Sequence, residues 1–446
     1  MPTGEKRPFF PLPPLTSCLA SSAFQAQSGT VRNTQKNKDG VTHGGVDSTY
    51  AWTRLLLTLI LATIGGVGMW SVIVALPAVQ AEFGVARADA SLPYTLTMLG
   101  FGAGGIMLGR MSDRFGILPP VIVGSVCLML GYAAAASAST LWQYSVAHLL
   151  IGFGSSATFS PLLADTSHWF ARRRGIAVAI IASGNYLAGT VWPSVVQHFI
   201  ETSGWRHTFF GISIFCVATM LPLVLTLHRR APTQHEAEST NTRGRARHSR
   251  PLGLPTQALQ NVLIVAGVSC CVAMSMPQVH LIAYCGDLGY GAARGAQMLS
   301  LLLGCGIISR LIFGWICDHI GGLRTLLIGS SMQCFALVLF LPFDGLVSLY
   351  VISALFGLFQ GGIVPSYAII VREYFPPREA GARIGIVITA TLIGMALGGW
   401  MSGVIFDLTG SYKMAFINGI AWNVVNMAIA LMLLVRSKMH GRAVTA

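Results

Sequence analysis

The feature that most constrains this chain is a series of twelve apolar segments, each long enough to cross a lipid bilayer as a helix. A membrane-spanning helix needs roughly 20 apolar residues. Only 10% of the residues are charged and 53% are hydrophobic, whereas soluble domains carry about 25% charged residues. We therefore predict an all-α polytopic membrane protein with twelve transmembrane helices. The segments cover about residues 55–76, 92–109, 117–137, 141–164, 175–196, 207–227, 257–283, 297–316, 323–342, 346–371, 383–405 and 413–435.

The twelve segments fall into two sets of six, separated by a charged stretch. Residues 228–256 hold six arginines among Pro, Thr and Ser, a composition typical of a flexible linker. This pattern predicts two pseudo-symmetric six-helix bundles, at residues 54–227 and 257–436. Residues 1–53 are polar and Pro-containing, with no apolar stretch of the kind a secretory signal requires. They are expected to form a disordered cytoplasmic tail, with a start codon placed too early as the alternative, and residues 437–446 a C-terminal tail.

The basic residues are distributed unevenly between the two sides of this topology. With both termini in the cytoplasm, the inner loops and tails hold 24 Lys and Arg residues and the outer loops hold 4. Cytoplasmic loops of membrane proteins carry such an excess, so we predict a cell membrane protein, plasma or bacterial inner, with both termini cytoplasmic. The net charge of +13 then faces the anionic lipid headgroups, and no nucleic-acid partner is expected.

A sequence repeat relates the two sets of spans. Two similar halves are the usual design of transporters that alternate access between the two sides of a membrane. The segment Gly109-Arg-Met-Ser-Asp113-Arg114-Phe-Gly116 ends the second span, and Gly314-Trp-Ile-Cys-Asp318-His319-Ile-Gly321 ends the eighth, 205 residues later at every matching position. The pairs Gly152 and Gly357, and Phe170 and Phe375, keep the same offset.

The repeated motif, Gly-x-x-x-Asp-Arg-x-Gly and its weaker copy, resembles the major facilitator superfamily. The resemblance covers about residues 54–436 and implies the major facilitator fold and a secondary transporter that works by rocker-switch alternation. In that family these loops act in the cytoplasmic gate. The alternative to a gate role is that each loop is only a structural turn that also fixes the topology. The resemblance implies gate roles for Gly109, Asp113, Arg114, Gly116, Gly314, Asp318 and Gly321.

Finer features resemble the monocarboxylate-transporter branch of this superfamily, which implies a small organic anion as substrate. Members often carry a lysine in the first helix and an aspartate one turn before an arginine of the eighth helix. This chain has no lysine in the first span and has Gly306 four residues before Arg310, so the coupling ion stays open. The matching segments are Arg173-Arg174-Gly175, Gly204-Trp205-Arg206, Val279-His280-Leu281 with Tyr284, Asp287-Leu-Gly289, and Ser309-Arg310 with Gly314.

Arg310 is the one Lys or Arg in the interior of a predicted span, since Arg324, Arg383 and Lys413 each lie within the first two residues of theirs. An arginine there costs at least about 2.5–3.5 kcal/mol on insertion scales, and the sequence places no carboxylate inside a span. A guanidinium in a central cavity would bind a carboxylate through two hydrogen bonds, which predicts an anionic or zwitterionic substrate. The alternative is a side chain that snorkels to the cytoplasmic interface or packs between helices.

Other polar or aromatic residues of the spans are weaker candidates for the substrate site. An isolated His or Asn on a membrane helix more often bonds a neighbouring helix. Imidazole titrates near neutrality, so a histidine could carry a coupling proton. The alternatives are that the substrate carries the proton or that the protein works as a uniporter or exchanger. These candidates are Trp70, Tyr94, His148, Asn185, His280, Tyr284 and Gln360.

Nothing in the sequence indicates a cofactor, a metal or an enzyme. The nine cysteines lack metal-type spacing, no phosphate-binding Gly-rich loop occurs, and no span holds the His, Asp and Glu cluster that a membrane-embedded enzyme requires. One alternative within transport is efflux of an amphipathic, drug-like compound, which would make Arg310 dispensable. An alternative of another class is a non-transporting membrane sensor on the same scaffold.

Overall fold

The computed structural model describes residues 46–170, 173–229 and 251–445, and within these ranges the regular structure is helical. The helices are α1 (Thr49–Gly65), α2 (Val67–Phe83), α3 (Arg87–Phe115), α4 (Leu118–Ala136), α5 (Leu141–Ser156), α6 (Ser160–Trp169), α7 (Arg174–Ala182), α8 (Gly184–Ser203), α9 (Trp205–Thr226), α10 (Thr256–Asp287), α11 (Ala292–Ile320), α12 (Gly322–Leu339), α13 (Leu346–Gln360), α14 (Ile363–Tyr374), α15 (Pro377–Thr409) and α16 (Tyr412–Thr445), with a short 3₁₀ turn at Pro251–Gly253.

The helices provide the twelve crossings that the sequence predicts. Eleven stretches of the described chain are long and apolar enough to cross a membrane. One of them, Gly175–Thr226, has 52 residues, roughly 78 Å of helix against a hydrocarbon core of about 30 Å. It is divided at Gly204, whose φ of 78° ends α8 and begins α9. These two helices therefore cross separately.

Four of the crossings consist of two helices joined at small residues. The breaks lie between α1 and α2, α5 and α6, α7 and α8, and α13 and α14. They pack tightly: a Cβ added to Gly66 would lie 2.5 Å from Ala188 Cβ, and one added to Gly65 would lie 2.3 Å from Thr158. Broken helices are tolerated at membrane depth where protein surrounds them or where they line a cavity, so the breaks indicate where a central site lies.

The sequence repeat is also a repeat of structure. Helices α3 and α11 each have 29 residues, and both of their bounds are shifted by 205 residues, from 87 to 292 and from 115 to 320. Each ends at a glycine with positive φ, 85° at Gly116 and 83° at Gly321, whose N–H donates to the carbonyl four residues earlier. Left-handed backbone of this kind favours glycine because it lacks a Cβ.

Helices α1–α9, the first repeat, contact helices α10–α16, the second repeat, along two lines. Helix α3 packs on α15, and α8 packs on α11. Glycines bring the first pair close, since a Cβ added to Gly403 would lie 2.9 Å from Ala88 Cα and one added to Gly399 would lie 2.9 Å from the Tyr94 ring. Small residues allow membrane helices this approach. The largest buried apolar cluster includes residues of both repeats, Tyr94 and Tyr284 among them.

The helix bounds differ from the sequence prediction at both ends of the chain. Helix α1 begins at Thr49, where Ser48 Oγ accepts a hydrogen bond from Ala51 N–H as the N-cap. Helix α16 continues to Thr445, so the predicted tail at residues 437–446 is helical through residue 445. Residues 1–45 of the predicted tail and residues 230–250 of the predicted linker lie outside the described residues.

A membrane-spanning helix of the first repeat also contains an arginine, Arg54. This finding corrects the expectation that Arg310 is alone in the spans. Arg54, which the sequence places one residue before the first span and counts with the cytoplasmic cations, is a buried residue of α1. Its Nε and Nη2 donate to Asp165 Oδ2 over 3.2 and 2.9 Å, and its Nη1 donates to the Leu227 carbonyl over 3.1 Å. Because a carboxylate and a carbonyl satisfy this guanidinium, Arg54 is a structural cation, whereas Arg310 has different surroundings.

Two names describe the ends of the helices below. The Arg87 end is the end at which α2, α8, α10 and α15 terminate and α3 begins. The Asp113 end is the opposite end, at which α3 and α11 terminate in the two glycine turns.

Candidate functional site

Arg310 projects from α11 toward the break between α7 and α8. Its Nη1 donates a hydrogen bond to the carbonyl of Ala182, the last residue of α7. Carbonyls in the last turn of a helix lack intrahelical partners, so the break supplies this acceptor. The guanidinium carbon lies 4.6 Å from the centre of the Tyr186 ring. The Nε atom is buried and has no hydrogen-bond partner.

No carboxylate neutralises Arg310 in the described part of the chain. The ion pairs found there involve Arg54, Arg87, Arg206 and Arg383. One turn before Arg310, where the resembling transporters often carry aspartate, a Cβ on Gly306 would lie 2.5 Å from Tyr186 Cε1. The tyrosine ring therefore occupies the space that an acidic side chain would need. A ring face and a carbonyl attract the cation but leave its charge available to an anion.

Two further candidates lie at the same helix break. Trp70 Nε1 donates to the Asn185 carbonyl over 3.1 Å, which ties α2 to α8. A Cβ added to Gly189 would lie 2.8 Å from Trp70 Cε2, so the glycine makes room for the indole. Asn185 directly precedes Tyr186, the residue that covers the Arg310 guanidinium, and its side chain is half-buried.

The second repeat brings Gln360 to the same region. Gln278 Nε2 of α10 donates to Gln360 Oε1 over 2.9 Å, while Gln360 Nε2 is buried without a partner. The next residue packs on α11, since a Cβ added to Gly361 would lie 2.9 Å from Arg310 N and 2.5 Å from Gly306 O. We call Arg310, Trp70, Asn185 and Gln360 the Arg310 group. Gln278 and Tyr186 belong to it as well and were not predicted.

Three other candidates form a separate group around Tyr412, toward the Arg87 end. His280 Nδ1 lies 3.2 Å from Tyr412 Oη, and His280 Nε2 lies 2.8 Å from the Gly399 carbonyl. The rings of Tyr284 and Tyr412 meet edge-on with centroids 5.4 Å apart, and the Tyr94 ring packs on Gly399. Gln278 of the Arg310 group and His280 lie two residues apart on α10.

His148 packs within the first repeat. Its Nδ1 lies 2.9 Å from the Tyr144 carbonyl of its own helix, and its ring contacts Tyr144 and Phe209. None of its hydrogen-bond or ring contacts in the described chain involves another candidate. The structure does not bring His148 to either group.

The predicted gate residues lie together at the Asp113 end. Asp113, Arg114 and Asp318 are exposed, and no ion pair of the described residues includes them. Nothing lies within 4 Å of a Cβ added to Gly109 or Gly314. Gly116 and Gly321 form the two turns described above. Their gate role stays a prediction.

A charged network at the Arg87 end was not predicted. Arg87 Nη2 donates to Asp287 Oδ1 over 3.1 Å, and Arg87 Nη1 donates to Tyr412 Oη over 2.6 Å. The backbone N–H groups of Arg87 and Ala88 donate to the two carboxylate oxygens of Asp407 over 2.9 and 2.7 Å. Each contact joins the first repeat to the second. The signal that the sequence offered for this network is the position of these charged residues at helix ends, on the side that is poor in basic residues.

Twelve apolar crossings in two repeats, with an arginine lacking a carboxylate partner between them, define a class of multi-pass helical transport protein. The chain belongs to the Major Facilitator Superfamily, whose family model matches residues 58–349 and 311–445. The family resemblance found in the sequence is thereby confirmed.

The relatives by sequence are transporters. The chain is 25% identical to Monocarboxylate transporter 13 of Rattus norvegicus over 69% of this chain and 71% of the relative. It is 27% identical to human Monocarboxylate transporter 11 over 69% of this chain and 66% of the relative. It is 24% identical to the MFS-type transporter opdF of Penicillium oxalicum over 64% of this chain and 66% of the relative.

Solved structures share the fold. A bacterial homologue of the human lysosomal transporter Spinster, in an inward-facing and occupied conformation, is 14% identical with a TM-score of 0.66, over 87% of this chain and 97% of that chain. The xylose transporter XylE from E. coli, in an inward open conformation, is 16% identical with a TM-score of 0.64, over 86% of this chain and 96% of that chain. At these identities the likeness concerns the fold alone.

Proposed function

We propose that this protein is a secondary active or facilitative transporter of a small organic anion, and that the carboxylate of the substrate binds Arg310. The observation that carries the proposal is a guanidinium between the two repeats whose Nε is buried and unpartnered and which no carboxylate of the described residues neutralises. An uncompensated polar group of this kind is costly unless a ligand satisfies it.

The chemistry around Arg310 suits a monocarboxylate-like substrate. Arginine presents a planar fork that binds a carboxylate through two parallel hydrogen bonds. The amides of Asn185 and Gln360 would bond a hydroxyl or carbonyl of the substrate, and Trp70 and Tyr186 offer apolar faces. With one cation in the group, a single carboxylate is favoured over two. Relatives named as monocarboxylate transporters agree with this choice.

The transport cycle in this proposal alternates the two predicted bundles, residues 54–227 and 257–436, about the Arg310 group. The pairs α3–α15 and α8–α11 are the surfaces that separate and close. The exposed Asp113, Arg114 and Asp318 would pair or cap helix ends when the Asp113 end closes.

The test is uptake of a panel of labelled small carboxylates into proteoliposomes by the wild type and by Arg310→Gln. Losing one partner of a buried charge-assisted pair costs about 2–5 kcal/mol, so the KM of the variant is expected to rise at least about 30-fold. Arg310→Lys keeps the charge without the fork and is expected to fall in between. The matched control is Arg294→Gln, on the same helix, whose exposed side chain bonds only Gln297.

The outcomes separate the proposal from its alternatives. Saturable uptake of one acid that requires Arg310 and not Arg294 supports the proposal. Equal uptake by both variants would make Arg310 a packing residue and would overturn the assigned site. If no acid is taken up while an amphipathic cation is expelled in an Arg310-independent manner, the efflux function replaces this one.

We propose further that the Asp113 end faces the cytoplasm, because the basic residues concentrate on that side. A reporter inserted at residue 240 is expected to read cytoplasmic, and one inserted at residue 345, in the turn between α12 and α13, is expected to read on the opposite side. Reversed signals would invert the orientation, and equal signals would overturn the topology.

A further inference from the structure

A continuous chain of hydrogen bonds links His280 to the surface of the Arg87 end. Arg87 Nη1 donates to Tyr412 Oη over 2.6 Å, and Tyr412 Oη lies 3.2 Å from His280 Nδ1. On its other side Arg87 binds both carboxylate oxygens of Asp287 over 3.2 and 3.1 Å. The chain therefore runs from a carboxylate that is 38% exposed to a histidine that is completely buried.

The partners fix the protonation state of the imidazole. The carbonyl of Gly399 accepts only, so His280 Nε2 carries a hydrogen and donates over 2.8 Å. Because the Tyr412 oxygen already accepts from Arg87, its own hydroxyl hydrogen is free to point at His280 Nδ1, which then accepts. In this arrangement His280 is neutral and every hydrogen bond of the chain has one donor and one acceptor.

A proton added to His280 Nδ1 breaks this arrangement. The nitrogen becomes a donor, so Tyr412 Oη faces two donors, one from each cation, and its own hydrogen loses its acceptor. The new imidazolium also lies next to the Arg87 guanidinium, which repels it. The titratable and charged groups around the ring are Arg87 from α3, Asp407 from α15, Tyr412 from α16, and Tyr284 and Asp287 from α10 itself.

Arg87 also holds the two repeats together at this end. Its side chain lies over the Phe406 ring, with the guanidinium carbon 4.6 Å from the ring centre, and the N-terminus of its helix rests on the Asp407 carboxylate. The repulsion between the two cations is relieved when Arg87 leaves Tyr412, which removes a contact between α3 and α16. A cleft of about 380 Å³ between α2 and α10 is lined by Gln80, Arg87 and Asp287 and therefore lies directly beside the network.

We propose that His280 is a proton-binding site whose occupation and the closed state of the Arg87 end exclude each other. A proton that reaches His280 opens this end, and closing the end expels the proton. The closed state binds one proton fewer than the open state, so acid favours opening and alkali favours closure. The inference rests on the alternating access proposed above. It assigns the coupling proton to His280, in a chain that lacks the aspartate and the lysine that the resembling transporters often carry.

The test is amide hydrogen exchange at Arg87 and Ala88 in the purified protein, without substrate. These first N–H groups of α3 have no partner in their own helix, and the Asp407 carboxylate protects them only while the end is closed, so their exchange measures opening. A histidine that titrates near pH 6.5 once exposed is protonated about ten to one at pH 5.5. Corrected for intrinsic rates, wild-type exchange is therefore expected to be about tenfold faster at pH 5.5 than at pH 7.5.

The variants decide the source of this pH dependence. His280→Gln is expected to show slow exchange at both pH values. The control His207→Gln changes an exposed histidine at the same end, bonded to the Ser203 carbonyl at the end of α8, and is expected to behave as the wild type. If His280→Gln fails to fold, Tyr412→Phe is measured in its place. This variant removes the hydroxyl that donates to His280, and the midpoint of amide exchange plotted against pH is expected to rise by about half a pH unit.

Two outcomes overturn the inference. One is a wild-type exchange rate that does not change with pH after correction, and the other is an unchanged pH dependence in His280→Gln. Neither outcome touches the Arg310 experiment, which measures uptake at one pH. The two proposals therefore fail separately.

Discussion

The two ends of the helix bundle differ in how closely they follow the sequence repeat and in the contacts that they make. At the Asp113 end, α3 and α11 finish in matching glycine turns whose charged residues are exposed. At the Arg87 end, an ion pair and a helix cap join the two repeats. The cross-repeat ion pair between Arg87 and Asp287 is the one such pair in the described ranges.

The difference arises because the contacts at the Arg87 end do not follow the repeat. The counterpart of Arg87, 205 residues on, is Ala292, and that of Asp407, 205 residues back, is Thr202. The counterpart of Asp287 is Glu82, which binds Arg206 within the first repeat. The sequence repeat therefore identifies the two similar halves, while residues that break the repeat form the charged contacts that join the halves at the Arg87 end.

Among the variants that compare the two ends, the largest effect is expected from filling a tight contact between α3 and α15. In Gly403→Ala the added Cβ would lie 2.9 Å from Ala88 Cα and from the Arg87 carbonyl, and overpacking of this kind costs about 1–3 kcal/mol. We expect a lower melting temperature and faster exchange at Arg87 and Ala88. The matched control at the other end is Gly109→Ala, where nothing lies within 4 Å. Equal melting temperatures would show that the Arg87 end tolerates separation without cost.

A smaller effect is expected from Arg87→Gln, which removes the cross-repeat ion pair and the bond to Tyr412. The Arg87 side chain is 10% exposed and Asp287 is 38% exposed, so screening reduces the loss to about 1 kcal/mol. Exchange at Ala88 is expected to rise about fivefold. Arg206→Gln at the same end breaks a pair within one repeat and is expected to leave this rate unchanged. A rise of the same size in both variants would indicate general loosening.

The smallest effect is expected at the Asp113 end. Asp113→Asn removes one charge beside a helix end, worth about 0.3–1 kcal/mol, so the turnover of transport is expected to fall two- to fivefold with unchanged exchange at Arg87 and Ala88. Asp318→Asn is the repeat-related comparison, next to His319 in place of Arg114, and a smaller fall is expected. Turnover that both variants leave at the wild-type value would make these loops structural turns.

Much of the fold could be predicted because a helix that crosses a membrane needs an apolar composition, which the sequence shows directly. Runs of about 20 apolar residues specify the crossings, and the 205-residue offset specifies the structural repeat that α3 and α11 display. The C-terminal end was predicted less well, since helix α16 continues through a polar segment that hydropathy assigns to a tail.

The candidate site was predictable in part. A lone arginine in an apolar run attracts notice, and the structure brings Trp70, Asn185 and Gln360 to its neighbourhood. Tyr186 could not be found in this way, because its importance lies in filling the space beside Gly306 on another helix. Arg54 was misplaced because its partner, Asp165, lies 111 residues away in sequence.

The sequence by itself determined that the chain crosses a membrane twelve times, that its two sets of spans are repeats and that one arginine stands apart in the spans of the second. These properties follow from local composition and from spacing along the chain. Only the tertiary structure decided that a carboxylate neutralises Arg54 whereas none of the described residues neutralises Arg310, that His280 reaches Asp287 through Tyr412 and Arg87, and that an ion pair joins the two repeats at the Arg87 end. Each of these depends on which helices become neighbours, because charge pairing and hydrogen bonding act over a few ångströms between residues far apart in sequence.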